Sequence, residues 1–117
     1  MKTILVVDDE PDVRDTVKTV LEKHGFKVVT AVDGDDALHR LKGVTPDLIL
    51  LDIMMPGLPV RDLVSQVKGV KIAYLTVVRT TEAEKEQLFT NSNVVGFIQK
   101  PFDIGELIAQ VNHLMGD

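Results

Sequence analysis

Five short apolar runs recur along the 117 residues, each followed by an amphipathic or charged stretch. A strand that is apolar at nearly every position leaves no face for water, so such runs require cover on both sides, as in a parallel sheet packed between helices. The pattern therefore predicts a (βα)₅ α/β chain with strands at Thr3–Val7, Phe26–Ala31, Asp47–Leu51, Lys71–Val77 and Val94–Gln99. The first, third and fourth contain TILVV, LILL and IAYLTV. The second, FKVVTA, mixes in polar residues and reads as an edge strand.

The stretches between carry helix signals. Val13, Val17, Val20 and Leu21 line one helical face, Pro11 suits its first turn and Gly25 suits a left-handed stop. Asp33 caps a second helix containing Ala37, Leu38 and Leu41. Pro59 opens a third, with Val60, Leu63, Val64 and Val67 at i, i+3, i+4 and i+7. Thr81-x-x-Glu84 and Asp103-x-x-Glu106 have the spacing of capping boxes for a fourth and a fifth helix. The fifth has a core stripe of Ile104, Leu107, Ile108, Val111 and Met115, whereas the fourth, around Glu82–Phe89, offers little beyond Ala83, Leu88 and Phe89 to bury. Weak anchoring marks the fourth as the most mobile helix.

Length and the lack of a linker predict a single domain over residues 1–117. A formal charge of −5 disfavours direct nucleic-acid or anionic-membrane binding. Zero cysteines exclude disulfides, thiolate metal sites and a thiol nucleophile. No apolar run reaches the roughly 18 residues of a membrane span, and MKTILVVDDE meets acid too early for a signal peptide, so a cytoplasmic chain is expected.

Open parallel sheets bind ligands beyond the carboxyl ends of their strands. Asp8, Asp9 and Glu10 follow the first strand here, Asp52 follows the third, Thr76 lies near the end of the fourth and Lys100 follows the fifth. Singly, each has an ordinary reading: a loop or capping Asp pair, a turn-initiating Asp, a strand threonine, a surface lysine. Four such groups at the same ends of four strands indicate a shared site. If the first and third strands are neighbours, Asp8, Asp9 and Asp52 converge, and their repulsion calls for a hard divalent cation such as Mg²⁺. Carboxylate, cation site, ammonium and hydroxyl together describe a phosphoryl-transfer centre in which Asp52 attacks phosphorus. His24, His39 and His113 fall at polar helix positions and read as surface residues.

In order and spacing, ILVVDDEPDVR, VVTAVDGDDAL, PDLILLDIMMPG, IAYLT and FIQKPFD resemble the receiver domain of two-component response regulators over essentially the whole chain. The resemblance implies a flavodoxin-like doubly wound sheet in the order 2-1-3-4-5. It implies that Asp52 accepts a phosphoryl group from a sensor histidine kinase or a histidine phosphotransfer protein. Mg²⁺ would be bound by Asp9, Asp52 and the carbonyl of Met54, with Asp8 acting through a metal-bound water. Lys100 would pair with the phosphoryl group, Thr76 and Phe97 would form the switch pair, and the bond before Pro101 would be cis. The output would pass through the fourth helix, fifth strand and fifth helix to an effector domain or protein, with the chain a monomer or a phosphorylation-dependent dimer. Its enzymatic action would be limited to its own Mg²⁺-dependent phosphorylation and dephosphorylation.

Three features depart from the family pattern. Val77 places a branched side chain where a small residue is usual and crowds the donor's entrance. Gly57-Leu58-Pro59-Val60 stiffens the loop after Asp52, and Phe97 lacks the hydroxyl of the commoner tyrosine. An aspartate-nucleophile phosphatase would need a second Asp where Met54 stands, and a flavin or nucleotide domain would need a Gly/Ser/Thr loop where DDEPD stands. The remaining alternative is a degenerate receiver that binds partners without phosphorylation.

Met54 and Val78 offer nothing to orient an attacking water, so self-dephosphorylation should be slow. Replacing Met54 with Asn or Val78 with Glu should shorten the phosphoaspartate lifetime, read as the decay of labelled protein. An unchanged decay in both would remove this expectation.

Overall fold

The computed structural model describes residues 2–52, 66, 67, 69–76, 94–99 and 103–115, with Thr76, Phe97 and Gln99 described by backbone alone. Its elements are β1 (Thr3–Val7), α1 (Pro11–Lys23), β2 (Lys27–Ala31), α2 (Gly34–Leu41), β3 (Leu48–Asp52), β4 (Lys71–Thr76), β5 (Val94–Gln99) and α3 (Ile104–Leu114), the last being the fifth helix of the sequence pattern. The predicted fourth helix lies outside the described residues, as does the predicted third helix apart from Gln66 and Val67.

All strand pairings are parallel, in the order β2-β1-β3-β4-β5, so the strand read as an edge is one. Alternation along each strand divides the core in two. Ile4, Val6, Leu48, Leu50, Ala73 and Leu75 pack with Val17 and Leu21 of α1 and Leu107 and Val111 of α3. Leu5, Val7, Ile49, Leu51, Ile72 and Tyr74 pack with Ala37 of α2 and with Val67. Successive side chains point to opposite faces of a strand, so a run apolar at every position supplies both layers at once.

The helix ends follow the local chemistry. Gly25, at φ 89°, continues a Schellman turn in which its N–H donates to the Glu22 carbonyl and that of Phe26 to the Leu21 carbonyl. Asp33 Oδ1 accepts the Asp36 N–H at 2.8 Å, and Asp103 Oδ1 accepts the Glu106 N–H at 2.7 Å. At the far end of α3, Lys2 Nζ donates to the Met115 carbonyl and Lys71 Nζ to the Leu114 carbonyl, both at 2.9 Å. Two cations from the starts of β1 and β4 thus meet the negative end of the helix dipole.

Three local expectations are corrected. Phe26 belongs to the turn after α1 rather than to β2, since its N–H is committed to Leu21. β3 runs one residue later than predicted: Asp47 stays outside the strand, its carboxylate accepting the Thr3 N–H at 2.8 Å, and Asp52 is drawn in by pairing with Leu75. Ile104, assigned to the core stripe, is 53% exposed because it opens α3 before the helix reaches the sheet.

Tyr74 is only 2% exposed, and burial pushes its phenol up from 10.0 to about 12. The unfolded chain therefore gives up this proton from pH 10 while the folded chain keeps it, and the neutral phenol's contribution is lost as pH rises from 10 to 12. Stability should fall by about 2–3 kcal/mol across that window through this group. Tyr74→Phe should flatten that part of the denaturation-versus-pH curve relative to the parent; identical alkaline limbs would contradict it.

Candidate functional site

The sheet register builds the site. Val7 pairs with Leu51, so the next residues, Asp8 and Asp52, emerge from adjacent parallel strands about one strand spacing apart, ~4.8 Å. Asp52 is still within β3 and pairs with Leu75 of β4, which fixes its backbone on that side, one residue beyond the last pairing of β3 with β1. Thr76 closes β4 one residue beyond that row, opposite Gln99, and Phe97 pairs with Tyr74.

Four carboxylates, those of Asp8, Asp9, Glu10 and Asp52, each offer an oxygen within 4.8 Å of the others. Asp8 is fully buried and Asp52 is 4% exposed, while Asp9 and Glu10 face solvent. These are the two buried charged residues among the described part of the chain. Like charges at this spacing repel by about 3–4 kcal/mol per pair at an effective dielectric near 20.

Asp8 is held from three directions. Its N–H donates to the Ala31 carbonyl of β2 at 3.2 Å. Its Oδ1 accepts the Glu10 N–H at 2.9 Å. Its carbonyl accepts Arg14 Nη1–H, from the first turns of α1, at 2.7 Å. The acidic loop is thus braced by the strand on one side and the helix on the other.

The donor set suits a hard divalent cation. All four groups are carboxylates, with no sulfur or imidazole among them. Octahedral Mg²⁺ ligands at about 2.1 Å lie about 3.0 Å apart when adjacent and about 4.2 Å apart when opposite, so carboxylates spread over up to 4.8 Å would draw together around the ion or reach it through bound water.

Of the residues singled out from the sequence, the structure brings together Asp8, Asp9 and Asp52. Met54, Val77, Val78, Lys100 and Pro101 lie outside the described residues, and Thr76 and Phe97 are placed by backbone only. His24, His39 and His113 are exposed, as expected. Two participants escaped the sequence reading as members of the cluster. Glu10 was signalled only by its contiguity with Asp8 and Asp9. Arg14 carried no signal, because its hydrogen bond is to a main-chain oxygen.

A family model described as "Response regulator receiver domain" matches residues 4–112. The chain is 33% identical over 116 residues to the alkaline phosphatase synthesis transcriptional regulatory protein PhoP of Bacillus subtilis, covering 97% of this chain and 48% of that protein. It is 36% identical over 111 residues to the DNA-binding response regulator MtrA of Mycolicibacterium smegmatis, covering 92% and 48% respectively. The chain therefore spans about half the length of these curated relatives. Among solved structures, the chemotaxis protein CheY4 of Vibrio cholerae superposes with a TM-score of 0.86 at 31% identity, covering 97% of this chain and 98% of that one. The response regulator TrrA of Thermotoga maritima, in complex with Mg²⁺-BeF, gives a TM-score of 0.83 at 32% identity, covering 97% and 99%.

Proposed function

The chain belongs to the response regulator receiver domain family, and we propose that it is a phosphorylation-controlled switch whose phosphoacceptor is Asp52. Proteins of this family receive phosphoryl groups and are not enzymes acting on a separate substrate. The observation that carries the reading is the convergence of Asp8, Asp9, Glu10 and Asp52 at the carboxyl ends of β1 and β3.

In this reading a carboxylate oxygen of Asp52 forms the O–P bond as the P–N bond of a donor phosphohistidine breaks, leaving the electron pair on the imidazole nitrogen. The donor is a sensor histidine kinase or a histidine phosphotransfer protein. Asp8, Asp9 and Asp52, with the Met54 carbonyl, would hold a magnesium ion, for which the carboxylate donor set and the Mg²⁺-BeF complex of the Thermotoga relative are the support. When bound, the ion supplies positive charge to the phosphoryl oxygens. Asp52 is fixed within the ladder, so its nucleophilic oxygen needs little reorganisation to attack. Lys100 neutralises a further phosphoryl oxygen, and the Thr76 hydroxyl donates to another. The added charge favours the arrangement in which Thr76 makes that bond and Phe97 fills the space it leaves. The outcome is read by an effector domain or protein at the fourth helix, β5 and α3, with the chain monomeric or dimerising on phosphorylation. Among the described residues no helix is long and apolar enough to cross a membrane, and the chain's place is proposed to be the cytoplasm.

The test is incubation of the protein with a small-molecule phosphodonor, with and without Mg²⁺, followed by intact-mass measurement. The expected result is a gain of one phosphoryl group that requires the ion. No gain under either condition would contradict this reading and support a receiver that works by binding alone.

A further inference from the structure

We propose that Arg14 is a positioning residue that sets the geometry of the acidic loop before any ion or phosphodonor arrives, an inference that rests on the reading of that loop as part of the phosphorylation site. The contact is specific: Nη1–H of Arg14 donates to the carbonyl oxygen of Asp8 at 2.7 Å. That carbonyl lies in the same rigid peptide plane as the N–H of Asp9. Fixing it therefore fixes the direction in which the chain leaves Asp8 and the place from which the Asp9 carboxylate projects. Two further tethers of Asp8, its N–H to Ala31 and its Oδ1 to the Glu10 N–H, act on other peptide planes.

Arg14 is well founded for this task. It is half-buried, and its own N–H donates to the Glu10 carbonyl at 3.1 Å. Its helix is anchored in the core by the fully buried Val17 and Leu21. Each end of the acidic loop is thus referred to the same rigid element. Asp9 and Glu10 are exposed carboxylates that repel one another and the buried pair, and without the brace they would spread outward. A guanidinium is suited to the position because it stays charged and makes a strong hydrogen bond to a neutral carbonyl.

A different role for Arg14, that of a resident counter-charge, predicts the opposite sign. A cation beside the cluster would compete with a divalent ion, so its removal would tighten Mg²⁺ binding, whereas loss of a brace weakens it. The experiment uses the whole chain and two readouts. One is hydrogen exchange of the Glu10 amide in metal-free protein; the other is titration with magnesium chloride alone. Arg14→Met should speed Glu10 exchange by about tenfold and weaken Mg²⁺ affinity by about tenfold, the low end of what outer positioning groups contribute. Arg14→Lys, which keeps a donor for the carbonyl, should restore most of both. Lys18→Met, which removes the same charge from an exposed position on the same helix, should leave Glu10 exchange unchanged. Protection of the Val17 and Leu21 amides shows that each variant is folded. Unchanged Glu10 exchange in Arg14→Met, or tighter Mg²⁺ binding, overturns the proposal. If the parent binds no Mg²⁺ but Glu10 exchange follows Arg14 as described, the brace stands and the proposed phosphorylation site falls.

Discussion

Asp52→Asn should abolish phosphoryl incorporation and, in metal-free solution, make the protein more stable than its parent. The first effect is chemical. A neutral amide oxygen lacks the charge of the attacking carboxylate, and no other carboxylate of the cluster shares the fixed place of Asp52 inside β3. The second effect is electrostatic. Asp52 is 4% exposed and has three carboxylates within 4.8 Å, one of them on the fully buried Asp8. Each pair at that distance contributes about 3–4 kcal/mol of repulsion at an effective dielectric near 20, partly offset by nearby positive groups and by water at the exposed members. A net gain of about 1–3 kcal/mol is expected, raising the melting temperature by roughly 3–15 °C. Adding Mg²⁺ should stabilise the parent by mass action and Asp52→Asn by less, narrowing the gap. Calorimetry with chelator and with magnesium reads both, and lower metal-free stability in Asp52→Asn would contradict the electrostatic account.

Leu50→Ala should be the most damaging single core truncation among conservative choices, at about 3–5 kcal/mol. Leu50 lies on the central strand, has no exposed surface, and shares its cluster with Ile4 and Val6 of β1, Ala73 and Leu75 of β4, Val17 and Leu21 of α1 and Leu107 of α3. Neighbours held on both sides by strand pairing cannot collapse into the space left, so the cavity term is retained. Against a total of about 5–15 kcal/mol for a domain, that is a large share. The same truncation at Ile104, 53% exposed, should stay within about 0.5 kcal/mol. Urea midpoints of the two variants make the comparison. A Leu50→Ala cost below about 1 kcal/mol would be incompatible with the packing described.

Much of the fold was legible because it depends on neighbours in sequence. β1 and β5 have the predicted bounds, since their apolar runs begin and end where the pairing does. Asp33 and Asp103 cap their helices through contacts three residues away, and Gly25 stops α1 because a left-handed residue is needed there. The misplaced boundaries had partners elsewhere in the chain. Asp47 is withheld from β3 by Thr3, and Asp52 is drawn into it by Leu75. Ile104 has the hydrophobicity and spacing of a core residue but lies beyond the reach of the sheet.

Residue type and local spacing alone determined the two-sided burial of the strands, the order of elements, the capped helix starts and the presence of acids at the ends of β1 and β3. Their meeting was decided in three dimensions, by the pairing of Val7 with Leu51, which sets Asp8 beside Asp52 across 43 intervening positions and more closely than like charges prefer. The same holds for Arg14, whose grip on the Asp8 carbonyl exists only once α1 packs against the sheet. Local sequence encodes torsional preference and polarity, which act over a few residues. Register and main-chain contacts arise from the simultaneous burial of distant apolar faces, and no single segment carries that information.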